Sequence, residues 1–147
     1  MAIAAQDAAD RVEQLIILTE RLTELIALEA AAFEARRPHE AAKYIEETAR
    51  LANIYRHESA RVRSDPRLVK DVAPAQRAAL VRATEAFDAV LARQGRAIEA
   101  ARTVTEGLVR AIAEEVSAQR AETVGYGANG ARGAGAGPTA IAFNQRA

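Results

Sequence analysis

The stretch 64–74, Ser-Asp-Pro-Arg-Leu-Val-Lys-Asp-Val-Ala-Pro, decides how this chain folds. Pro66 and Pro74 cannot continue a preceding helix, but each can open the next one. On both sides of the stretch, Ala, Glu, Arg and Leu recur at helical spacing. The stretch therefore predicts a hairpin loop between long helices in an all-α fold.

The composition favours long helices over a thick core. The chain has 147 residues, of which 50% are hydrophobic, and alanine supplies 37 of these against 36 from all other hydrophobic types together. A buried methyl group contributes roughly 0.8 kcal/mol, against about 1.5 to 3 kcal/mol for a buried Leu, Ile or Phe, whereas Ala is the best helix former. One helical domain is expected.

Charge and residue usage exclude several classes of protein. The absence of Cys excludes disulfide scaffolds, Cys-based zinc sites and Fe–S centres. Twenty basic residues balance twenty acidic ones, so no nucleic-acid partner is expected. The longest bulky apolar run spans only residues 15–18, and acids stand where a signal peptide would carry Lys or Arg. These features predict a cytoplasmic protein without membrane insertion.

Pro38 marks a second break. It follows Arg36 and Arg37, without the Gly or Asn that usually turns a chain sharply, so a kinked or briefly broken long helix is expected. The resulting fold is a long, coiled-coil-like antiparallel helical hairpin or three-helix bundle. Its helices are predicted at about 5–36, 38–63 and 75–122.

The glycines set a boundary near residue 124. Six of the eight glycines follow it, in a segment with almost nothing to bury. We therefore expect a helical domain at 1–123 and a disordered Gly/Ala-rich tail at 124–147.

The first and last helices carry different apolar faces. On the first helix, the apolar residues between positions 12 and 33 occupy a sector about 180° wide. Behind it lies a second stripe, which consists of Ile17, Leu28, Ala31 and Ala35 and predicts an additional partner. The last helix has a seam only about 100° wide, with a period near seven. The seam consists of Leu80, Phe87, Val90, Leu91, Ile98, Ala101, Leu108, Val109, Ile112 and Val116.

Known catalytic and metal-binding patterns are missing from the sequence. There is no Cys nucleophile, no G-x-S-x-G elbow, no phosphate-binding loop and no Glu-x-x-His pair, so no enzyme activity, metal or cofactor is expected. His39 and His57, each followed by Glu, are interpreted as solvated positions on helix surfaces. A small helical mutase that clamps an anionic substrate with arginines stays a minor alternative, because the arginines alternate with Glu.

The order of several segments resembles FlgN-type flagellar export chaperones over nearly the full length. The resemblance rests on the leucine–glutamate pattern of 22–29, the break at 36–38, the Lys-bearing helix at 42–45, the long helix around 107–113, the Tyr-Gly-x-x-Gly at 126–130 and the ending 144–147. It implies a cytoplasmic chaperone that holds hook-associated (hook–filament junction) proteins unassembled and delivers them to the flagellar type III export gate.

The resemblance also implies where partners bind. The last helix would engage the C-terminal helical region of the client protein, and the matching positions are Val104, Leu108, Ile112 and Val116. Internal packing against the first helix is the alternative for these positions. A Tyr just past the long helix, here Tyr126, would dock onto the cytoplasmic domain of the export gate. Ile141 and Phe143 are further candidate contacts, although they can also fold back onto the body.

Other functions stay open at this point. The near-heptad seam also suits a coiled-coil scaffold or a self-associating helical protein, whereas an export chaperone is expected to be a monomer or weak dimer.

Overall fold

The computed structural model describes the backbone of residues 3–128 and the side chains of residues 3–125. Within these residues the chain forms three α-helices and two short 3-10 helices, and no strand. This confirms the all-α prediction. The elements, in chain order, are α1 (Ala8–Glu34), a 3-10 helix (Pro38–Ala41), α2 (Ala42–Ser64), a 3-10 helix (Pro66–Val69) and α3 (Pro74–Ala128).

The start of α1 is fixed by reciprocal side-chain caps. The Asp7 carboxylate accepts a hydrogen bond from the Asp10 N–H at 2.8 Å, and the Asp10 carboxylate accepts one from the Gln6 N–H at 2.9 Å. Both bonds satisfy N–H groups that the helix itself leaves without partners.

The end of α1 corrects the prediction of a kinked or briefly broken long helix at Pro38. Arg36 adopts a left-handed conformation with φ 58°. The Arg37 N–H donates to the Ala32 carbonyl at 2.9 Å and the Arg36 N–H to that of Phe33 at 3.0 Å, which is the Schellman pattern of hydrogen bonds. These two bonds offset the roughly 1–2 kcal/mol that the left-handed region costs a residue with a Cβ. A full chain reversal therefore forms without Gly or Asn.

The second connection lies where the prolines predict it. Asp65 accepts a hydrogen bond from the Arg67 N–H at 3.2 Å and so caps the short 3-10 helix, while Pro74 opens α3. α3 continues to Ala128, six residues beyond the predicted end at 122. Gly125 and Gly127 weaken a helix by about 1 kcal/mol each relative to Ala but do not forbid one.

Contacts along the helices show that α2 runs antiparallel to α1. Arg21 contacts Glu47 with its Nε 3.0 Å from Oε1, and Arg11 contacts Glu58. α3 runs parallel to α1, because Gln76 donates to the Ala9 carbonyl and Arg93 forms a two-point ion pair with Glu34. The arrangement is therefore an up-down-up three-helix bundle and not a two-armed hairpin.

The core is built around α1. Its buried residues repeat at alternating steps of three and four, as the predicted broad sector requires: Arg11, Val12, Leu15, Leu18, Thr19, Leu22, Leu25, Ile26, Glu29, Ala30 and Ala32. Leu18, Leu22 and Ile26 form one cluster with Phe87 and Val90 of α3. α2 joins the cluster through Tyr55, whose ring centroid lies 5.0 Å from that of Phe87.

The covered face of α3 differs in part from the predicted seam. Phe87 and Val90 are buried as expected, together with Ala83 and Ala97, but Leu91 and Ile98 are exposed. Contact with α1, and not the mean direction of the apolar residues, decides which face of α3 is covered.

A buried carboxylate ties α1 to α2. Glu58, which follows His57 in the sequence, is 0% exposed. Its Oε2 accepts from Arg11 at 2.8 Å, and its Oε1 accepts from the Ile3 N–H at 3.0 Å and from Arg61 at 3.1 Å. Desolvation acts to raise the pKa of Glu58, but these hydrogen bonds and the charges of Arg61 and Arg11 outweigh it and hold the pKa below 4.5.

A second buried carboxylate connects all three helices. Glu29 of α1 accepts hydrogen bonds from the Thr48 hydroxyl of α2 and from the Gln94 amide of α3, both at 2.7 Å. Gln94, which interrupts the apolar seam in the sequence, therefore fixes the register of α3 against α1.

Contacts divide the chain into two units, Met1–Glu106 and Gly107–Ala147. The core and the buried carboxylates belong to the first unit. The predicted domain limits of 1–123 and 124–147 stay a prediction.

We predict that Glu58→Gln lowers the free energy of unfolding by about 3 kcal/mol at pH 7, because Arg11 loses the charge of its buried partner. The folded pKa of Glu58 is lowered, so its stabilising contribution is present above about pH 4.5 and is lost as the pH falls through the folded pKa. The difference between variant and parent in urea unfolding should therefore shrink at acidic pH.

Glu13→Gln, at an exposed position of the same helix as Arg11, is the control and should change stability by less than about 0.5 kcal/mol. Equal effects of the two substitutions at pH 7 would contradict the role assigned to Glu58.

Candidate partner-binding surface

The second half of α3 presents apolar side chains to solvent. Every residue from 102 to 125 is exposed. Val104, Leu108 and Ile112 are exposed by 57%, 60% and 56%, and Val116 by 42%. These four residues, together with Val109 at 61%, are called the α3 stripe. A contiguous apolar surface of this kind on a folded chain marks a site for a partner.

The α3 stripe repeats at steps of four residues, 104, 108, 112 and 116, which keeps successive side chains on one side of a helix. At 100° per residue, positions 108 and 112 fall in the same sector as the buried positions 87 and 90. The sequence therefore continues a core-type pattern into residues that are exposed.

Polar groups beside the α3 stripe satisfy one another within the helix. Arg102 Nε lies 2.9 Å from Glu106 Oε1, and the Gln119 amide donates to Glu115 at 3.2 Å. The Thr103 and Thr105 hydroxyls donate to carbonyls one turn earlier, each at 3.0 Å. Exposed pairs of this kind contribute little to stability. Burial of the apolar residues is therefore the main driving force for association along this helix.

The sequence-predicted client positions are all part of this surface. Their role in binding a client protein stays a prediction. The alternative, that Leu108, Ile112 and Val116 pack internally against the first helix, also stays a prediction.

A cleft of about 510 Å³ lies in the first unit, where α1 ends. Phe33 and Pro38 line one side, and alanines of α3 with Val104 line the other. Glu34 at its rim is paired with Arg93, and this hydrogen-bonded pair holds the pKa of Glu34 below its ordinary value. The cleft therefore has a mainly apolar floor beside a neutralised charge pair.

The second stripe predicted on α1 is also partly uncovered. Ile17 is 59% exposed and Leu28 44%, while Ala31 and Ala35 are exposed as well. Ile17 lies beside a shallow apolar groove between α1 and α2, lined also by Ile3, Leu18, Leu51 and Ile54. This surface is a second candidate contact.

Three predicted contact residues fall outside the described side chains. Tyr126 lies in the last turn of α3, so its backbone is helical, but its side chain is not among those described. Ile141 and Phe143 lie outside the described residues.

The described residues contain no unpaired buried arginine. Arg11 is the one buried arginine among them, and it is bonded to Glu58, so no buried guanidinium is free to clamp an anion there. No group of three His, Asp or Glu side chains in the described residues could hold a metal ion. No helix in residues 3–128 is long and apolar enough to cross a membrane.

The buried polar residues were missed by sequence reasoning, although one signal was present. Leu51, Tyr55, Glu58 and Val62 follow one another at steps of four, three and four, which places Glu58 on the apolar side of α2. Arg11 is 47 positions away, and no local pattern identifies it as the partner.

Comparison with known proteins shows a strong similarity to a flagellar protein. The chain is 66% identical over 131 residues to the flagellar basal-body protein FlbY of Caulobacter vibrioides, and the match covers 88% of each chain. No protein-family model and no solved structure matches the chain. The resemblance to FlgN-type chaperones therefore stays a prediction.

Identity at this level over most of both chains shows that the two proteins belong to one family. The chain belongs to the family of the flagellar basal-body protein FlbY and is a flagellum-related protein.

Proposed function

We propose that this chain is a cytoplasmic flagellar type III secretion chaperone that binds hook-associated proteins through the α3 stripe. One observation carries the proposal: in the section of α3 where every residue from 102 to 125 is exposed, the apolar side chains of Val104, Leu108, Ile112 and Val116 face solvent. The name of the Caulobacter vibrioides relative supports the flagellar context. The sequence pattern shared with FlgN-type chaperones supports the choice of client.

The shape of the stripe suits an amphipathic helix. Residues 104 to 116 span about 18 Å along a helix at 1.5 Å per residue, a little over three turns. A partner helix would bury its own apolar face along this length, as in helix-in-groove recognition. The C-terminal helical regions of hook-associated proteins supply such faces in the proposed complex.

The energetics favour a reversible complex. Full burial of a Leu, Ile or Val contributes roughly 1.5–3 kcal/mol, and each stripe residue is already covered in part, so each contributes about 1–1.5 kcal/mol. Binding of this kind holds a client before assembly and still releases it at the export gate.

We also propose that the chain acts by binding, without enzymatic activity. The buried acids Glu29 and Glu58 are fully engaged by hydrogen bonds that join helices, and they line none of the clefts described above. This arrangement supports a structural role for both carboxylates.

Self-association as a coiled-coil scaffold is the second candidate, favoured by the same stripe. From 102 to 125 the helix carries three Arg and four Glu, so two copies would meet without strong repulsion. Sedimentation separates the candidates: a monomer or weak dimer that binds a hook-associated protein supports the chaperone, and a stable oligomer that binds none supports the scaffold.

We predict that Leu108→Gln with Ile112→Gln weakens binding of the cognate hook-associated protein about 100-fold, because roughly 3 kcal/mol of apolar burial is lost. Gln keeps a good helix propensity, so circular dichroism should be unchanged. Isothermal titration calorimetry with the purified hook-associated protein measures the effect.

Val81→Gln is the matched control, since Val81 is a 51% exposed apolar residue of α3 outside the stripe, and it should bind like the parent. If the double variant also binds like the parent, the stripe is not the site. If the parent binds no hook-associated protein, the proposed function is wrong.

For the export gate we predict that Tyr126→Ala leaves client affinity within about twofold but lowers client secretion roughly tenfold or more, as truncation of an aromatic anchor does. Tyr126→Phe keeps the ring and should retain most of the secretion. Secretion assays on culture supernatants measure both variants. Normal secretion by Tyr126→Ala would show that Tyr126 is not the docking residue.

A further inference from the structure

The sequence beyond α3 contains one short apolar group. Between Ala128 and Ile141 it has only Ala, Gly, Asn, Arg, Pro and Thr, and then Ile141 and Phe143 stand two positions apart. These two residues are the first bulky apolar side chains after Tyr126. Because their neighbours in the sequence are small or polar, Ile141 and Phe143 are candidates for a contact with another part of the chain.

The spacing along the chain matches the distance to the α3 stripe. From Ala128 back to Val116, Ile112 and Leu108 the helix covers about 18, 24 and 30 Å at 1.5 Å per residue. Ile141 follows Ala128 by about thirteen residues, and a chain of that length reaches at most about 45 Å. For Gly-rich linkers of about thirteen residues the root-mean-square span is roughly 20 Å, close to the distance to Val116 and Ile112.

The net charges of the C-terminal segment and of the second half of α3 also favour a contact. Residues 129–147 contain Arg132 and Arg146 and no acid, whereas residues 111–125 contain three Glu and one Arg. The side chains of the first segment therefore carry a net charge of +2 and those of the second a net charge of −2, which favours attraction between them.

We propose that Ile141 and Phe143 bind intramolecularly to the α3 stripe at Leu108, Ile112 and Val116 whenever no partner occupies it. The short tether gives the pair an effective concentration in the millimolar range at the stripe. A second copy of the chain reaches the same surface only at its bulk concentration. The tethered segment is therefore the favoured occupant of the free stripe.

One consequence is competition, which rests on the proposed function. A partner helix must displace Ile141 and Phe143 before it covers the same residues, so the segment lowers the apparent affinity of the stripe by the fraction of chains in which it is bound. The intramolecular contact itself does not depend on the identity of that partner.

The test uses the fluorescence of a single tryptophan introduced into the full chain. The sequence has no Trp, so Phe143→Trp introduces one reporter. Its emission should lie at shorter wavelength than that of a peptide of residues 134–147 with the same substitution, and it should not depend on protein concentration. Adding Leu108→Gln and Ile112→Gln should return the emission to that of the peptide, whereas adding Val81→Gln should not.

Two outcomes would overturn the proposal. One is emission equal to that of the free peptide in the parent background. The other is a shift that appears only as the protein concentration rises, which would assign the stripe to a second copy.

Titration with the hook-associated protein then tests displacement. The indole emission of the Phe143→Trp variant should move toward that of the peptide as the complex forms, and Ile141→Ser with Phe143→Ser should raise client affinity roughly three- to tenfold. Unchanged affinity in the double variant would contradict displacement. If no hook-associated protein binds while the stripe-dependent emission persists, the proposed function fails and the intramolecular contact stands.

Discussion

The reversal at Arg36 is the constraint on which the rest of the structure depends. Its left-handed backbone and the two hydrogen bonds of Arg36 and Arg37 to the end of α1 fold α2 back along α1. Within residues 1–106, Leu18, Leu22 and Ile26 of α1 then share one core with Phe87 and Val90 of α3 and with Tyr55 of α2.

Polar contacts fix the register of the three helices within residues 1–106. Apolar faces rich in alanine can slide along one another with little change in buried area, because successive turns resemble each other. Glu58 with Arg11, and Glu29 with Thr48 and Gln94, restrict the helices to one alignment. Sliding would leave a buried carboxylate without its donors, which costs more than the loss of an apolar contact.

The sequence predicted the helices and their order because periodicity and proline positions are local signals. It predicted the broad face of α1 for the same reason, whereas the client positions of α3 come from the resemblance to FlgN-type chaperones and stay a prediction. It failed at Arg36, where the left-handed conformation is stabilised by backbone bonds that no residue type indicates. It also failed at Glu58, whose partner Arg11 is distant in sequence. The predicted end of α3 at 122 is too early, because Gly125 and Gly127 do not end a helix that no proline interrupts.

The central proposal is that a client protein covers the apolar side of residues 102–125 of α3. Hydrogen–deuterium exchange with and without the cognate hook-associated protein tests it most directly. The account predicts that amides of 102–125 exchange faster than those of α1 in the free protein and become protected in the complex, with the largest change around Leu108 and Ile112. Protection equal to that of α1 in the free protein, or client-induced protection confined to α1 and α2, would contradict it.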